Sequence, residues 1–167
     1  MIIRNPYERL VSGFLDKYKK ESDYRSLWFH PEITFSKFVD EIIKNDYKMI
    51  DFHHFTAQLT EQFDNKIIKS KEFIIYDINK INYSYIESRY NTKIPEYLLN
   101  YRGGHERIKK NENIEYNVYD LDMELYIDHN VDIKYFYNND LKNKIYNFYK
   151  NDFLFFKEYG FDYNLDL

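Results

Sequence analysis

The residues best suited to chemistry stand near the N-terminus, where Arg4-Asn5-Pro6-Tyr7-Glu8-Arg9-Leu10-Val11-Ser12 follows the apolar run Met1-Ile2-Ile3. A cation at the end of a strand, followed at once by a helix N-terminus, brings a guanidinium and free backbone N–H groups to one place, which suits an anion. Asn5, Glu8, Arg9 and Ser12 are separated by three, four or seven positions, so they share one polar face of that helix. The same residues also fit a well-capped surface helix with an incidental arginine, and physical chemistry alone leaves both readings open.

Other candidates are weaker. Asp77 closes the apolar run Phe73-Ile74-Ile75-Tyr76, at the carboxyl end of a strand where α/β proteins place ligands; it either orients a base or caps the helix that follows, and the cap is the simpler role. In Tyr101-Arg102-Gly103-Gly104-His105-Glu106-Arg107 the glycines permit close backbone approach and the arginines suit anions, although a solvated turn explains the same residues. His30, His105 and His129 show no metal-ligand spacing, so no metal is expected. The alternating charges from 105 to 112 read as a solvated face.

The elements that would position these residues follow from pattern. Asn5 as N-cap, Pro6 at the first helical position and Glu8 as capping-box partner predict a helix over 6–19, with Tyr7, Leu10, Val11, Phe14 and Tyr18 as its apolar stripe. Phe35, Phe38, Val39, Ile42 and Ile43 predict a second amphipathic helix capped by Thr34. Residues 51–58 have no clear period and read as a loop, with a short helix expected around 59–63. Residues 73–77 read as a buried strand, and Ile78, Ile81, Tyr85, Ile86 and Tyr90 continue it as a helix to about Asn91. A long loop is expected over 91–117, and one last helix from about Asn139 to Gly160 with Leu141, Ile145, Phe148, Tyr149, Phe153 and Phe156 buried. The expected class is α/β: a short parallel sheet flanked by helices, helix-rich, in a single domain over 1–167.

Composition bounds the function. The 167 residues are 44% hydrophobic, enough for one sizeable core. With 24 basic against 28 acidic residues the net charge is −4, and without a polybasic block there is no electrostatic footprint for nucleic acid. There is no cysteine, which removes thiolate nucleophiles and sulfur-ligated metals. No apolar run approaches the ~20 residues of a membrane span. The 19 tyrosines and 14 phenylalanines accompany abundant Asn, Ile and Lys, a bias that an AT-rich genome produces whatever the function.

The segment Ile2-Ile3-Arg4-Asn5-Pro6-Tyr7-Glu8-Arg9-Leu10-Val11-Ser12-Gly13-Phe14-Leu15-Asp16-Lys17-Tyr18 resembles the 3′-phosphate-binding segment of carbohydrate sulfotransferases, the group that includes the HNK-1 and chondroitin/dermatan sulfotransferases. Three further stretches are similar to that family in the same order. Asp51, His54, Phe55 and Gln58 match a second motif, which carries Ala57 where proline is usual. Tyr76 and Asp77 match a strand and turn in which Asn82 replaces an acidic residue. Residues 146–161 resemble the family's C-terminal helix.

The resemblance implies a partial P-loop-like sulfotransferase fold. It also implies 3′-phosphoadenosine-5′-phosphosulfate (PAPS) as co-substrate, with Arg4 and Ser12 contacting its 3′-phosphate, and a hydroxyl of a glycan or similar acceptor as the group sulfated. His54 matches the family's histidine and is the natural general base, since imidazole titrates near neutrality; a structural loop histidine is the plainer alternative. In the family, a loop that binds the 5′-phosphosulfate precedes the Arg4 motif, so the chain is expected to be truncated at its N-terminus. A non-catalytic relative that binds a partner therefore stays open beside the enzyme, whereas a P-loop kinase would need a GxxxxGK(S/T) motif that the sequence lacks. The compartment also stays open: cytoplasmic as the chain stands, the Golgi lumen if an N-terminal anchor of the kind many animal members carry has been lost. An unpaired first strand would favour self-association through its edge.

Overall fold

The computed structural model describes residues 1–17, 33–44, 55–59, 74–99 and 112–167. Strand β1 (Ile2–Ile3) runs into helix α1 (Pro6–Lys17), and α2 (Phe35–Lys44) follows. Strand β2 (Tyr76–Asp77) passes through a 3-10 turn (Ile78–Lys80) into α3 (Tyr83–Tyr90) and a short α4 (Glu96–Leu99). Strands β3 (Asn113–Ile114) and β4 (Asn130–Val131) are separated by a 3-10 turn at Met123–Leu125. A further turn at Ile133–Phe136 leads to α5 (Asn139–Phe148) and α6 (Lys150–Glu158). Among the described residues no helix is long and apolar enough to cross a membrane.

The α/β class is as expected: helices predominate and both sheets are parallel pairs, β1–β2 and β3–β4. Among the described residues the short parallel sheet of the sequence reading is two separate pairs. In the first, Ile2 faces Tyr76 and Ile3 faces Asp77, so Arg4 leaves the carboxyl end of β1 beside the carboxyl end of β2. The Met1 ammonium donates to the Ile74 carbonyl at 2.7 Å and Tyr76 N–H to the Met1 carbonyl at 2.9 Å, extending the pairing.

Helix α1 starts where its cap dictates, with Asn5 Oδ1 accepting from Tyr7 N–H at 3.0 Å. Its apolar stripe buries Tyr7, Leu10, Val11 and Phe14. Thr34 caps α2 as expected, its Oγ1 accepting from Lys37 N–H at 3.3 Å, and Phe35, Phe38, Val39 and Ile42 are wholly buried. These faces meet Tyr126, Phe136, Tyr137, Leu141, Ile145, Tyr149 and Phe153 in the main core. Its rings pack edge-on or tilted, as Phe14 with Phe35 (5.4 Å, 70°) and Phe35 with Tyr137 (5.2 Å, 83°), the arrangement that ring quadrupoles favour. A second cluster of Ile3, Ile75, Phe155 and Phe156 seats the β1–β2 pair on α6.

Three expectations are corrected. The helix read over 78–91 is a 3-10 turn followed by α3, and α3 buries no side chain. The last helix is interrupted at Tyr149, whose φ of −102° and ψ of 26° leave the helical range between α5 and α6. Part of the segment read as a long loop, 96–99, is α4, and 113–114 is β3.

Candidate functional site

The site is built where β1 and β2 end. Arg4 is half-buried, and its main chain is fixed by a reciprocal pair: Arg4 N–H donates to Gln58 Oε1 at 2.9 Å, and Gln58 Nε2 donates to the Arg4 carbonyl at 2.8 Å. Its guanidinium faces the carboxylate of Glu8, one turn into α1, with Nε 3.8 Å from Oε2. That Nε is shielded from solvent yet has no hydrogen-bond partner among the described residues. A buried polar atom left in this state costs about 1–3 kcal/mol, a cost that an acceptor placed beside it would relieve.

The N-terminus of α1 contributes less than the sequence implied. Pro6 has no N–H, Tyr7 N–H is taken by the Asn5 side chain, and Arg9 N–H reaches the Asn5 carbonyl at 2.9 Å. Among the described residues this leaves the N–H of Glu8 as the one first-turn donor without an acceptor, so the positive charge here comes chiefly from Arg4 and not from a row of free amides.

Glu8 is itself fixed. Asn79 Nδ2 donates to Glu8 Oε2 at 2.7 Å. Asn79 sits in the 3-10 turn that Asp77 caps, Asp77 Oδ1 accepting from Asn79 N–H at 2.8 Å. The other Asp77 oxygen accepts from the Tyr163 hydroxyl at 2.8 Å. Asp77 therefore caps, as the simpler sequence reading held, with both oxygens engaged and its side chain buried. Burial first, then the adjoining Asp77, pushes the Tyr163 phenol well above its ordinary range, which keeps it a neutral donor.

Behind Gln58 lies a buried tie that the sequence reading did not single out. Asp152 of α6, fully buried, accepts from Gln58 N–H at 2.7 Å and Leu59 N–H at 2.9 Å. Arg9 Nη1 donates to the Thr56 carbonyl at 2.5 Å, and the Tyr149 hydroxyl to the Phe55 carbonyl at 2.6 Å. Burial lowers the Arg9 value, opposed by the phenol of Tyr149 and the carboxylate of Asp152. Segment 55–59 is thus held from both sides and in turn holds Arg4. The sequence did carry a sign of Asp152: it stands on the apolar stripe of the last helix, three residues after Tyr149 and four before Phe156, where a carboxylate needs buried donors.

Of the residues singled out from sequence, Arg4 occupies the site described above. Ser12 lies on α1 one turn beyond Glu8, half-buried. His54, its neighbour His53 and the loop from Tyr101 to Arg107 lie outside the described residues, as do His30 and the short helix expected around 59–63 beyond Leu59. His129 is remote from the motif in sequence and lies 3.5 Å from Glu112.

A cavity of about 360 Å³ opens between α5, α6 and the C-terminal segment, lined by Tyr146, Phe153, Tyr163, Asn143 and Asn164 among others. Tyr7 also lines it, and through the Tyr163–Asp77 bond it adjoins the chain of contacts that ends at Arg4. The lining combines these rings and amides with the charged groups of Lys142, Lys157 and Asp162.

The model of one protein family, described as "Sulfotransferase family", matches residues 1–160. Neither the curated proteins nor the solved structures contain a match to the chain.

Proposed function

The chain belongs to the sulfotransferase family, and from that premise we propose that it transfers sulfate from PAPS to a hydroxyl of a carbohydrate or similar acceptor. The observation that carries the donor part is the buried, unpartnered Nε of Arg4 at the carboxyl ends of two parallel strands, next to a helix N-terminus. Arg4 and Ser12 take the 3′-phosphate: the guanidinium gains the acceptor it lacks, and the hydroxyl adds a neutral donor farther along the same helix. The acceptor part is supported by the cavity beside Tyr163, whose lining of rings, amides and charged groups offers both apolar surface and hydrogen-bonding groups to a hydroxyl-bearing ligand.

In the transfer the acceptor oxygen bonds to sulfur as the bond from sulfur to the bridging oxygen breaks. The hydroxyl proton passes to a base, and adenosine 3′,5′-bisphosphate leaves. Little covalent chemistry falls to the protein, so positioning and electrostatic stabilisation carry most of the rate, as in phosphoryl transfer. His54 is the proposed base. It is next in sequence to the segment 55–59 that Gln58 fastens to Arg4, which supports a base held in register with the donor.

Thermal unfolding in the presence of adenosine 3′,5′-bisphosphate tests the donor site. At about 100 times its dissociation constant the ligand adds about 2.7 kcal/mol of apparent stability, and Arg4→Ala or Ser12→Ala abolishes or greatly reduces the shift. A folded sample with no shift overturns the donor site. Labelled PAPS offered with a glycan panel tests the transfer, for which His54→Ala loses about 10²–10⁴ in rate; transfer unaffected by that substitution rules His54 out as the base.

A further inference from the structure

We propose that Glu8 is a built-in counter-anion of the phosphate site, which lowers the site's affinity for the nucleotide and with which the 3′-phosphate must compete for Arg4. The inference rests on the donor-site reading above and names a residue that governs its selectivity. Glu8 Oε2 lies 3.8 Å from Arg4 Nε, close enough to offset part of the guanidinium's charge but too far for a hydrogen bond, and among the described residues Nε has none. The carboxylate does not drift closer because Asn79 Nδ2 holds the same oxygen at 2.7 Å. Asn79 is fixed in turn by the Asp77 cap, and Asp77 by the Tyr163 hydroxyl. The carboxylate is therefore parked beside the cation without completing its hydrogen bonding.

The consequences are electrostatic. A phosphate arriving at Arg4 meets a guanidinium whose charge is already partly offset, and it stands near a like charge once bound. Both effects weaken binding, by an amount typical of half-exposed ion pairs. A phosphate dianion has the charge and the oxygen geometry to satisfy Nε and prevail over Glu8. A nucleotide without a phosphate at that position has nothing to set against the Arg4–Glu8 pair and is indifferent to it.

Glu8→Gln is the informative variant, because its amide oxygen still accepts from Asn79 while the charge is gone. Binding of adenosine 3′,5′-bisphosphate and of adenosine 5′-monophosphate is measured by titration calorimetry for the wild-type chain, Glu8→Gln and Arg4→Ala. The expected result is bisphosphate binding about two- to fivefold tighter in Glu8→Gln, with the monophosphate unchanged. Arg4→Ala should weaken the bisphosphate at least about tenfold, as loss of a charge-assisted bond does. If Arg4→Ala weakens binding but Glu8→Gln does not tighten it, or tightens both nucleotides alike, the counter-anion role is overturned and the donor site stands. If Arg4→Ala leaves bisphosphate binding intact, or neither the wild-type chain nor Glu8→Gln binds it, the donor site falls and the role of Glu8 falls with it.

Discussion

At the scale of single residues, Gly13 shows how a position in a motif can be explained by packing. It stands between Ser12 and Phe14, inside the segment that resembles the phosphate-binding motif, yet its neighbour is an aromatic ring of the core. A Cβ built on it would lie 2.7 Å from Cε1 of Phe55 and 3.2 Å from its Cζ. Phe55 is completely buried, packs edge-on against Phe38 at 5.2 Å and has its carbonyl held by Tyr149. The ring has little room to yield, so Gly13→Ala should destabilise the fold by about 1–3 kcal/mol, as overpacking does. Urea unfolding of the variant measures this; an unchanged midpoint would show that the ring moves freely. The sequence identified Gly13 only as a match in a pattern, because its constraint comes from a residue 42 positions away.

At the scale of elements, the sequence was most informative where caps and period agreed. Asn5 with Pro6, and Thr34 ahead of Phe35, fixed the starts of α1 and α2, and the spacing of their apolar residues named the buried faces. It was least informative where period continued through a break. Leu141, Ile145, Tyr149, Phe153 and Phe156 run in helical register, so the change of backbone at Tyr149 leaves no trace in the pattern. Likewise Ile78, Tyr85 and Tyr90 have helical spacing but remain 47–59% exposed, so the spacing found the helix but not the fact that α3 buries no side chain. Helix α5 offers a quantitative check. Asn138 Oδ1 accepts from Leu141 N–H at 2.8 Å, and the last helix, read as starting from Asn139, had no cap assigned to it. Asn138→Ala should cost about 0.5–2 kcal/mol, read as a lower thermal midpoint, whereas Asn138→Ser should retain most of the wild-type stability; equal midpoints for all three chains would mean that tertiary packing alone sets this helix start.

At the scale of the whole molecule, the Arg4 site depends on the opposite end of the chain. Arg4 is held by Gln58, Gln58 by Asp152 on α6, and α6 closes the small core under β1 through Phe155 and Phe156. Sequence similarity placed the Arg4 motif, the Gln58 motif and the C-terminal helix in order along the chain, but that they form one hydrogen-bonded tie is a property of the tertiary structure. Asp152 makes the tie measurable through pH. Burial raises its value above the ordinary 3.8, outweighing the two N–H donors from Gln58 and Leu59 and the nearby Arg9, which pull it down. A carboxyl with a raised value in the folded state binds its proton more tightly there than in the unfolded chain. Its contribution to stability is therefore greatest below the ordinary value and declines as pH rises from there through the folded-state value. Asp152→Asn cannot titrate and offers one acceptor oxygen where two N–H groups wait, so it should be destabilised by about 1–3 kcal/mol. The gap between wild type and variant should narrow as pH rises above about 4, because only the wild type carries the titrating group. Denaturant unfolding of both chains in steps from about pH 3.5 to about pH 6.5, a span that brackets the ordinary carboxylate range, reads that gap directly. A gap that widens with pH would mean that the backbone donors and Arg9 dominate over burial, and Asp152 would then hold segment 55–59 as a stabilised anion instead of a strained one.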